Sequence, residues 1–157
     1  MKIRHVVMGL TGLALLCSQP AMAALTCSVT AVGVIFPNYN GLSSSSSYTY
    51  GSGSVTVSCL NLLFATPITV AMTKGSASSY NPRTMTFGSY ALNYNLYLDS
   101  GYTQIWGDGT GGSVTKSDTI GGLLGSSLTY TVYGRLPGGQ NVAAGAYIDT
   151  IFVTVMY

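Results

Sequence analysis

Few side chains in this sequence could do chemistry. Its one histidine is His5, and its acids are four aspartates, Asp99, Asp108, Asp118 and Asp149, with no glutamate. Its cysteines are Cys17, Cys27 and Cys59. A Ser-His-Asp or Cys-His nucleophile needs a histidine as its base. Paired carboxylates could work as in glycoside hydrolysis, with one acid on each side of the scissile bond. However, three of the four aspartates fall in Gly- or Ser-rich turn segments, where aspartate commonly bonds its own backbone. Asp108-Gly109-Thr110-Gly111-Gly112 has the glycines of a phosphate loop but not its lysine, and it lacks the alternating acidic ligands of a calcium loop. It reads as a glycine-rich turn.

The N-terminus removes part of this inventory. Lys2 and Arg4 precede a short apolar run from Val6 to Cys17. Ser18-Gln19-Pro20 then breaks the run, and Ala21-Met22-Ala23 offers small residues at the −3 and −1 positions. This is the pattern of a secretory signal peptide, residues 1–23, with cleavage after Ala23. The run is shorter than the ~20 residues a membrane span needs, so no span is expected after cleavage. Bulky Leu16 before Cys17 argues against a lipidated cysteine. The mature chain, residues 24–157, then has no histidine. Lys74, Arg83, Lys116 and Arg135 balance the four aspartates, so its formal net charge is zero. No basic patch remains for phosphates, and nucleic-acid binding is not expected. Two cysteines survive, an even pair in an exported chain, which reads as a Cys27–Cys59 disulfide. A zinc site would need four Cys or His ligands. The expectation is a protein without catalysis, cofactor or metal.

The elements that must position these residues show period two. Leu25, Cys27, Val29 and Ala31 alternate with threonine and serine, as do Val55, Val57 and Cys59. Both cysteines fall on the apolar side, so the bridge should lie in the core and pin the first strand to the second. Similar runs surround Ile68–Met72, Met85–Phe87, Leu92–Leu98 and Leu128–Val132. The cleanest is Ile151, Val153, Val155 and Tyr157 against Thr150, Phe152, Thr154 and Met156. Asn40-Gly41 with its serine tract, Lys74-Gly75, Asp99-Ser100-Gly101 and Pro137-Gly138-Gly139 mark turns or loops. No segment has a helical period. About seven strands without helices predict one all-β domain, an antiparallel sandwich of immunoglobulin type, with a closed barrel as the alternative. Twelve tyrosines and Trp106 could form a sugar-binding surface, although tyrosine is also favoured on strands for its own sake.

One series of motifs runs the length of the chain. It begins with Cys27-Ser28-Val29 leading to Phe36 and Tyr39, and with Gly53 through Cys59. It continues in Arg83-Thr84-Met85, Leu92 through Asp99, and Ile105 through Gly112. Tyr133-Gly134-Arg135-Leu136-Pro137 and Gly145 through Thr150 complete it before the last strand. In order and spacing, these pieces resemble the spore coat protein U domain, shared by spore-coat proteins and archaic, Csu-type chaperone–usher pilins. Phe36-Pro37 stands where the family usually has Phe-Gly.

The resemblance implies a sandwich missing its final strand, with an open apolar groove beside the C-terminal strand. Ile151, Val153, Val155 and Tyr157 would face that groove, and Thr150 and Thr154 would point away. It also implies partners: a periplasmic chaperone that fills the groove, an outer-membrane usher, and other pilin subunits that complete the fold by strand addition. The expected route is through the periplasm to the cell surface or fimbrium. Only Ala24, Leu25 and Thr26 would precede Cys27 after cleavage. At ~3.3 Å per residue they reach about 10 Å, against ~17–20 Å for a typical strand. The expected role is therefore a tip or minor subunit that accepts a strand and gives none. The rival expectation is a self-contained secreted coat protein or a surface- or carbohydrate-binding module.

Overall fold

The computed structural model describes residues 25–40, 47–60, 64–121 and 125–157. The expected signal peptide, and most of the serine tract, lie outside the described residues. Among the described residues eight strands form: β1 (Thr26–Ile35), β2 (Tyr48–Leu60), β3 (Thr66–Met72), β4 (Arg83–Phe87), β5 (Tyr90–Tyr97), β6 (Lys116–Ile120), β7 (Gly125–Pro137) and β8 (Val153–Met156). They make a five-stranded sheet in the order β1-β2-β7-β5-β4 and a three-stranded sheet in the order β6-β3-β8. All named strand pairs are antiparallel. The two sheets enclose one core, built on Val55, Val57, Ile68, Val70, Leu96 and Trp106. This is the sandwich architecture, in which inner-face residues alternate with polar outward ones.

The period-two runs become strands for the expected reason. In β2, Val55, Val57 and Cys59 are buried while Thr56 and Ser58 between them are not. Cys27 lies directly opposite Cys59, and the two form a disulfide with Cα atoms 4.0 Å apart. The bridge joins two hydrogen-bonded neighbours of one sheet and closes a sequence separation of 32. Its removal by Cys27→Ser with Cys59→Ser should cost roughly 3–4 kcal/mol by lost loop-closure entropy. Urea denaturation of the two forms measures this, and mass spectrometry without reductant should find no free thiol. A loss below about 1 kcal/mol would contradict the entropic account.

The eighth strand, β6, is one the alternation did not reveal. Lys116-Ser117-Asp118-Thr119-Ile120 holds one large apolar residue, fully buried Ile120. Its register against β3, from Thr66↔Ile120 to Val70↔Lys116, supplies the backbone pairing that its side chains do not signal. Lys116 and Asp118 share the phase of Ile120 and so lean toward Tyr130. Lys116 Nζ sits 5.5 Å from the Tyr130 ring centroid and 3.5 Å from Asp118 Oδ2. The Tyr130 hydroxyl donates to Asp118 at 3.4 Å.

β1 also runs further than its first apolar phase. The pairing shifts between Val32↔Ser54 and Ile35↔Ser52, so β1 carries one extra residue there, a β-bulge. The bulge switches the inward phase from Cys27 and Val29 to Val34 and Phe36, which pack against the core. Glycines on the neighbouring strands leave the room. A side chain at Gly134 would strike Phe36 and Val34, and one at Gly53 would strike the Val32 carbonyl.

Candidate functional site

The four sheet edges are treated differently, and the difference locates the site. An open edge offers unpaired N–H and C=O groups to any passing strand. The β4 edge is covered: Thr86 and Ile148 exchange backbone hydrogen bonds at 2.9 and 3.2 Å. The β6 edge carries inward-leaning charges, Lys116 and Asp118, a device that discourages strand addition. Among the described residues the β1 and β8 edges show neither protection. Among the described residues β1 pairs with β2 alone and β8 with β3 alone. Between these two edges lies a groove of about 440 Å³ that opens the sandwich to its core.

The groove is mostly apolar. Val32 and Val34 form one lip, Ile151 and Val153 the other. Val55, Met72, Met85, Tyr94, Leu96 and Val132 line it from the buried core. Val32 is 65% exposed, so this lip lies bare. Val153 stands opposite Met72, and Val155 opposite fully buried Val70, which puts β8's odd-numbered valines on the inner face. Phe152, Thr154 and Met156 are exposed on the other face; Thr150, expected to point away, is exposed but lines the groove. Ile151 and Val153 line the groove, while Val155 packs against the core beyond it. Tyr157 is a correction: it lies one residue past β8, is 56% exposed, and does not line the groove. Beyond the last paired residue, Met156, no neighbouring strand fixes its direction.

The sequence reading missed the β1 lip and the floor. The lip was hidden by the phase change at the bulge, since Val32 and Val34 fit no single alternation with Val29. The signal that could have found it is the Gly51, Gly53 and Gly134 set, whose missing side chains leave space beside a bent strand.

The groove's walls are fixed by polar groups. Asp149 Oδ2 accepts a bond of 2.7 Å from the Tyr94 hydroxyl, and Oδ1 accepts from the Ser76 amide at 2.9 Å. This ties the segment leading into β8 to β5 and to the turn after β3. Burial, then the bond to Asp149, pushes the Tyr94 phenol well above its ordinary value, so it stays a donor. Gly75 has φ of +66° and lies so close to the Asp149 carboxylate that a β-carbon there would collide with it. Behind the groove, Arg83 is fully buried. It donates to Thr73 O, Trp106 O and Asn95 Oδ1.

The remaining aspartates have local partners. Asp99 accepts from the Thr103 and Gln104 amides, and Asp108 from the Thr110 amide and hydroxyl. These bonds hold both carboxyls below their ordinary range. Among the described residues no group of three His, Cys, Asp or Glu could hold a metal ion. Nor is any helix there long and apolar enough to cross a membrane. What the site can do is receive an extended segment: two strand edges give it backbone partners and the apolar floor gives it pockets.

Comparison with known proteins gives the family and the fold. The Spore Coat Protein U domain matches residues 13–154. "Protein U" of Myxococcus xanthus is 33% identical over 114 residues, covering 69% of this chain and 60% of that protein. A similar solved structure is the CsuC–CsuE chaperone–tip adhesion subunit pre-assembly complex from archaic chaperone–usher Csu pili of Acinetobacter baumannii. It aligns with a TM-score of 0.56 and 23% identity over 85% of this chain and 40% of that chain. At that identity the likeness is one of fold. This chain spans less than two thirds of the length of either relative.

Proposed function

The chain belongs to the spore coat protein U domain family, and on that premise we propose that it is a non-enzymatic structural subunit of a pilus or coat on the cell surface. Its groove accepts a β-strand from another chain. The observation that carries this reading is the pairing of two unprotected edges, β1 and β8, across an apolar groove that reaches the core. Left bare, that combination invites aggregation. Filled by a strand of five or six residues, about 17–20 Å long, it completes the sandwich. A periplasmic chaperone supplies the strand in transit, an outer-membrane usher receives the complex, and a neighbouring subunit supplies the strand in the assembly. The narrower placement as a tip or minor subunit rests on the mature N-terminus.

One preparation tests these points. The protein purified from the periplasm of its own host should come as a stoichiometric complex with a second chain. In that complex the amides of Val32–Ile35 and Val153–Met156 should be protected from hydrogen exchange. Separated from its partner under mild denaturant, it should aggregate. A monomer that stays soluble with those amides freely exchanging would contradict the acceptor reading. N-terminal sequencing of the same sample addresses the tip placement: a start at Ala24 supports it, and ten or more residues before Cys27 would overturn it.

A further inference from the structure

The outer face of the five-stranded sheet carries a second feature, on the side away from the groove's core. In β7, Val132, Gly134 and Leu136 are buried, so Tyr133 and Arg135 point outward. Register brings Tyr50 opposite Arg135, and Tyr97 opposite Tyr133. The Asp99–Gln104 loop lays Tyr102 over them. Tyr102 has φ of +56°, an unusual conformation for a bulky residue. Its ring centroid lies 4.9 Å from Tyr50, 5.5 Å from Tyr97 and 6.3 Å from Tyr133. Asp99 holds the loop in place through the Thr103 and Gln104 amides.

Arg135 sits inside this cluster. Its guanidinium carbon is 4.8, 4.9 and 5.4 Å from the ring centroids of Tyr48, Tyr97 and Tyr102. Nη2 donates to the Tyr97 hydroxyl at 2.9 Å. Among the described residues no carboxylate lies within ion-pair distance of it; the one such pair is Lys116–Asp118. Tyr48 and Tyr50 are 44% and 49% exposed. Tyr133 continues the strip into a cleft of about 380 Å³, which Asp99, Gln104, Lys116, Tyr130 and Thr131 also line.

We propose that this face binds an acidic polysaccharide, its carboxylates on Arg135 and its sugar rings against the strip of tyrosines. The chemistry selects that class of ligand. A guanidinium presents a planar fork of donors that matches a carboxylate. Rings already stacked on it hold the fork in one orientation, so little side-chain freedom is lost on binding. Hexose rings have apolar C–H faces that pack on exposed tyrosine, while the tyrosine hydroxyls bond sugar hydroxyls. The neighbouring cleft offers hydroxyl and amide groups and the Lys116 ammonium to the next residue of the chain. A neutral glycan would leave the arginine without its counter-charge, and a protein strand finds no free edge here.

The test is zonal chromatography of the full exported protein on columns of immobilised alginate, a polyuronate, or dextran, a neutral glucan. Alginate should retard it and dextran should not. Tyr50→Ala and Arg135→Gln should each weaken the retardation by roughly tenfold, the size expected for losing a charged hydrogen bond or an exposed ring contact. Tyr90→Ala, an exposed tyrosine on the β4–β5 hairpin, should change nothing. Higher salt should weaken the interaction, as charge recognition at a surface requires. Equal retardation by dextran would overturn the proposal. So would wild-type binding by Tyr50→Ala, whose ring is exposed enough that its loss leaves the fold intact.

Discussion

Val32→Asp should fold as the wild type does and lose its partner. Val32 is 65% exposed on the groove's lip, so an aspartate there stays hydrated in the free subunit. The stability cost should be within about 1 kcal/mol, the range of exposed strand substitutions. Once an incoming strand covers that lip, the carboxylate has no partner. Among the groove-lining residues the charged side chain is Asp149, itself an anion. Burying an unpaired charge costs several kcal/mol, so capture should fall by roughly a hundredfold or more. Val153→Asp on the facing lip should lose capture as well, with some loss of stability because Val153 already packs against the core. Thr154→Asp is the control. It is one residue along the same strand on the exposed face, and it should capture partner normally. Co-purification of each variant from the periplasm, with thermal melts beside it, reads both quantities. A folded Val32→Asp that still carries its partner would refute the groove as acceptor.

What could be read from sequence follows from how each element is stabilised. Strands that bury one face announce themselves, and β2 and β7 do so through Val55, Val57, Val132 and Leu136; β5 shows its apolar face in Leu92, Tyr94 and Leu96, although Asn95 and Tyr97 on its other face are buried as well. The Cys27–Cys59 bridge was legible because both residues share that apolar phase. β6 was illegible because its pairing is backbone to β3, with charges where apolar residues would normally signal. The β1 lip was illegible because a single extra residue inverts the phase of everything after it, and sequence alternation has no mark for a bulge. Tyr157 shows the converse failure. It continues the alternation of β8 by one step, but pairing with β3 ends at Met156, and periodicity alone places no side chain. The open edges themselves could not be read at all, since an edge is a relation between strands distant in sequence. Ala31–Val34 and Ile151–Val153 meet across the groove only in the folded chain.

The second large effect is expected at Arg83, whose role was also invisible in sequence beyond a motif position. It is one of four cations in residues 24–157, and it is fully buried. Burial draws its pKa below the ordinary arginine value, and the nearby Asp149 carboxylate opposes that. An arginine still remains charged in a protein. Nε and Nη2 donate to the Thr73 carbonyl at 3.2 and 3.0 Å, Nη2 to the Trp106 carbonyl at 2.6 Å, and Nη1 to Asn95 Oδ1 at 2.8 Å. The Tyr80 ring lies beneath it at 5.0 Å. These acceptors come from the end of β3, the segment after the Asp99 loop, and β5, so one side chain ties both sheets together at the groove's floor. Arg83→Met fills the space and takes the donor from the Thr73 and Trp106 carbonyls, while Asn95 Oδ1 keeps its 3.0 Å bond from the Leu96 amide. At about 1–3 kcal/mol for each orphaned acceptor, the loss should be roughly 4 kcal/mol. That is a large part of the 5–15 kcal/mol typical of a domain. Arg83→Lys keeps the charge but cannot reach all the acceptors from one point, and should lose roughly 2–3 kcal/mol. Trp106→Phe removes the 3.0 Å donation from Nε1 to the Val70 carbonyl and leaves a void where the fully buried indole packed, and it should cost roughly 2–3 kcal/mol. Urea denaturation with the disulfide intact measures the two milder variants, and failure of Arg83→Met to fold agrees with the largest figure. If Arg83→Lys proves as stable as the wild type, the guanidinium is not what joins the sheets.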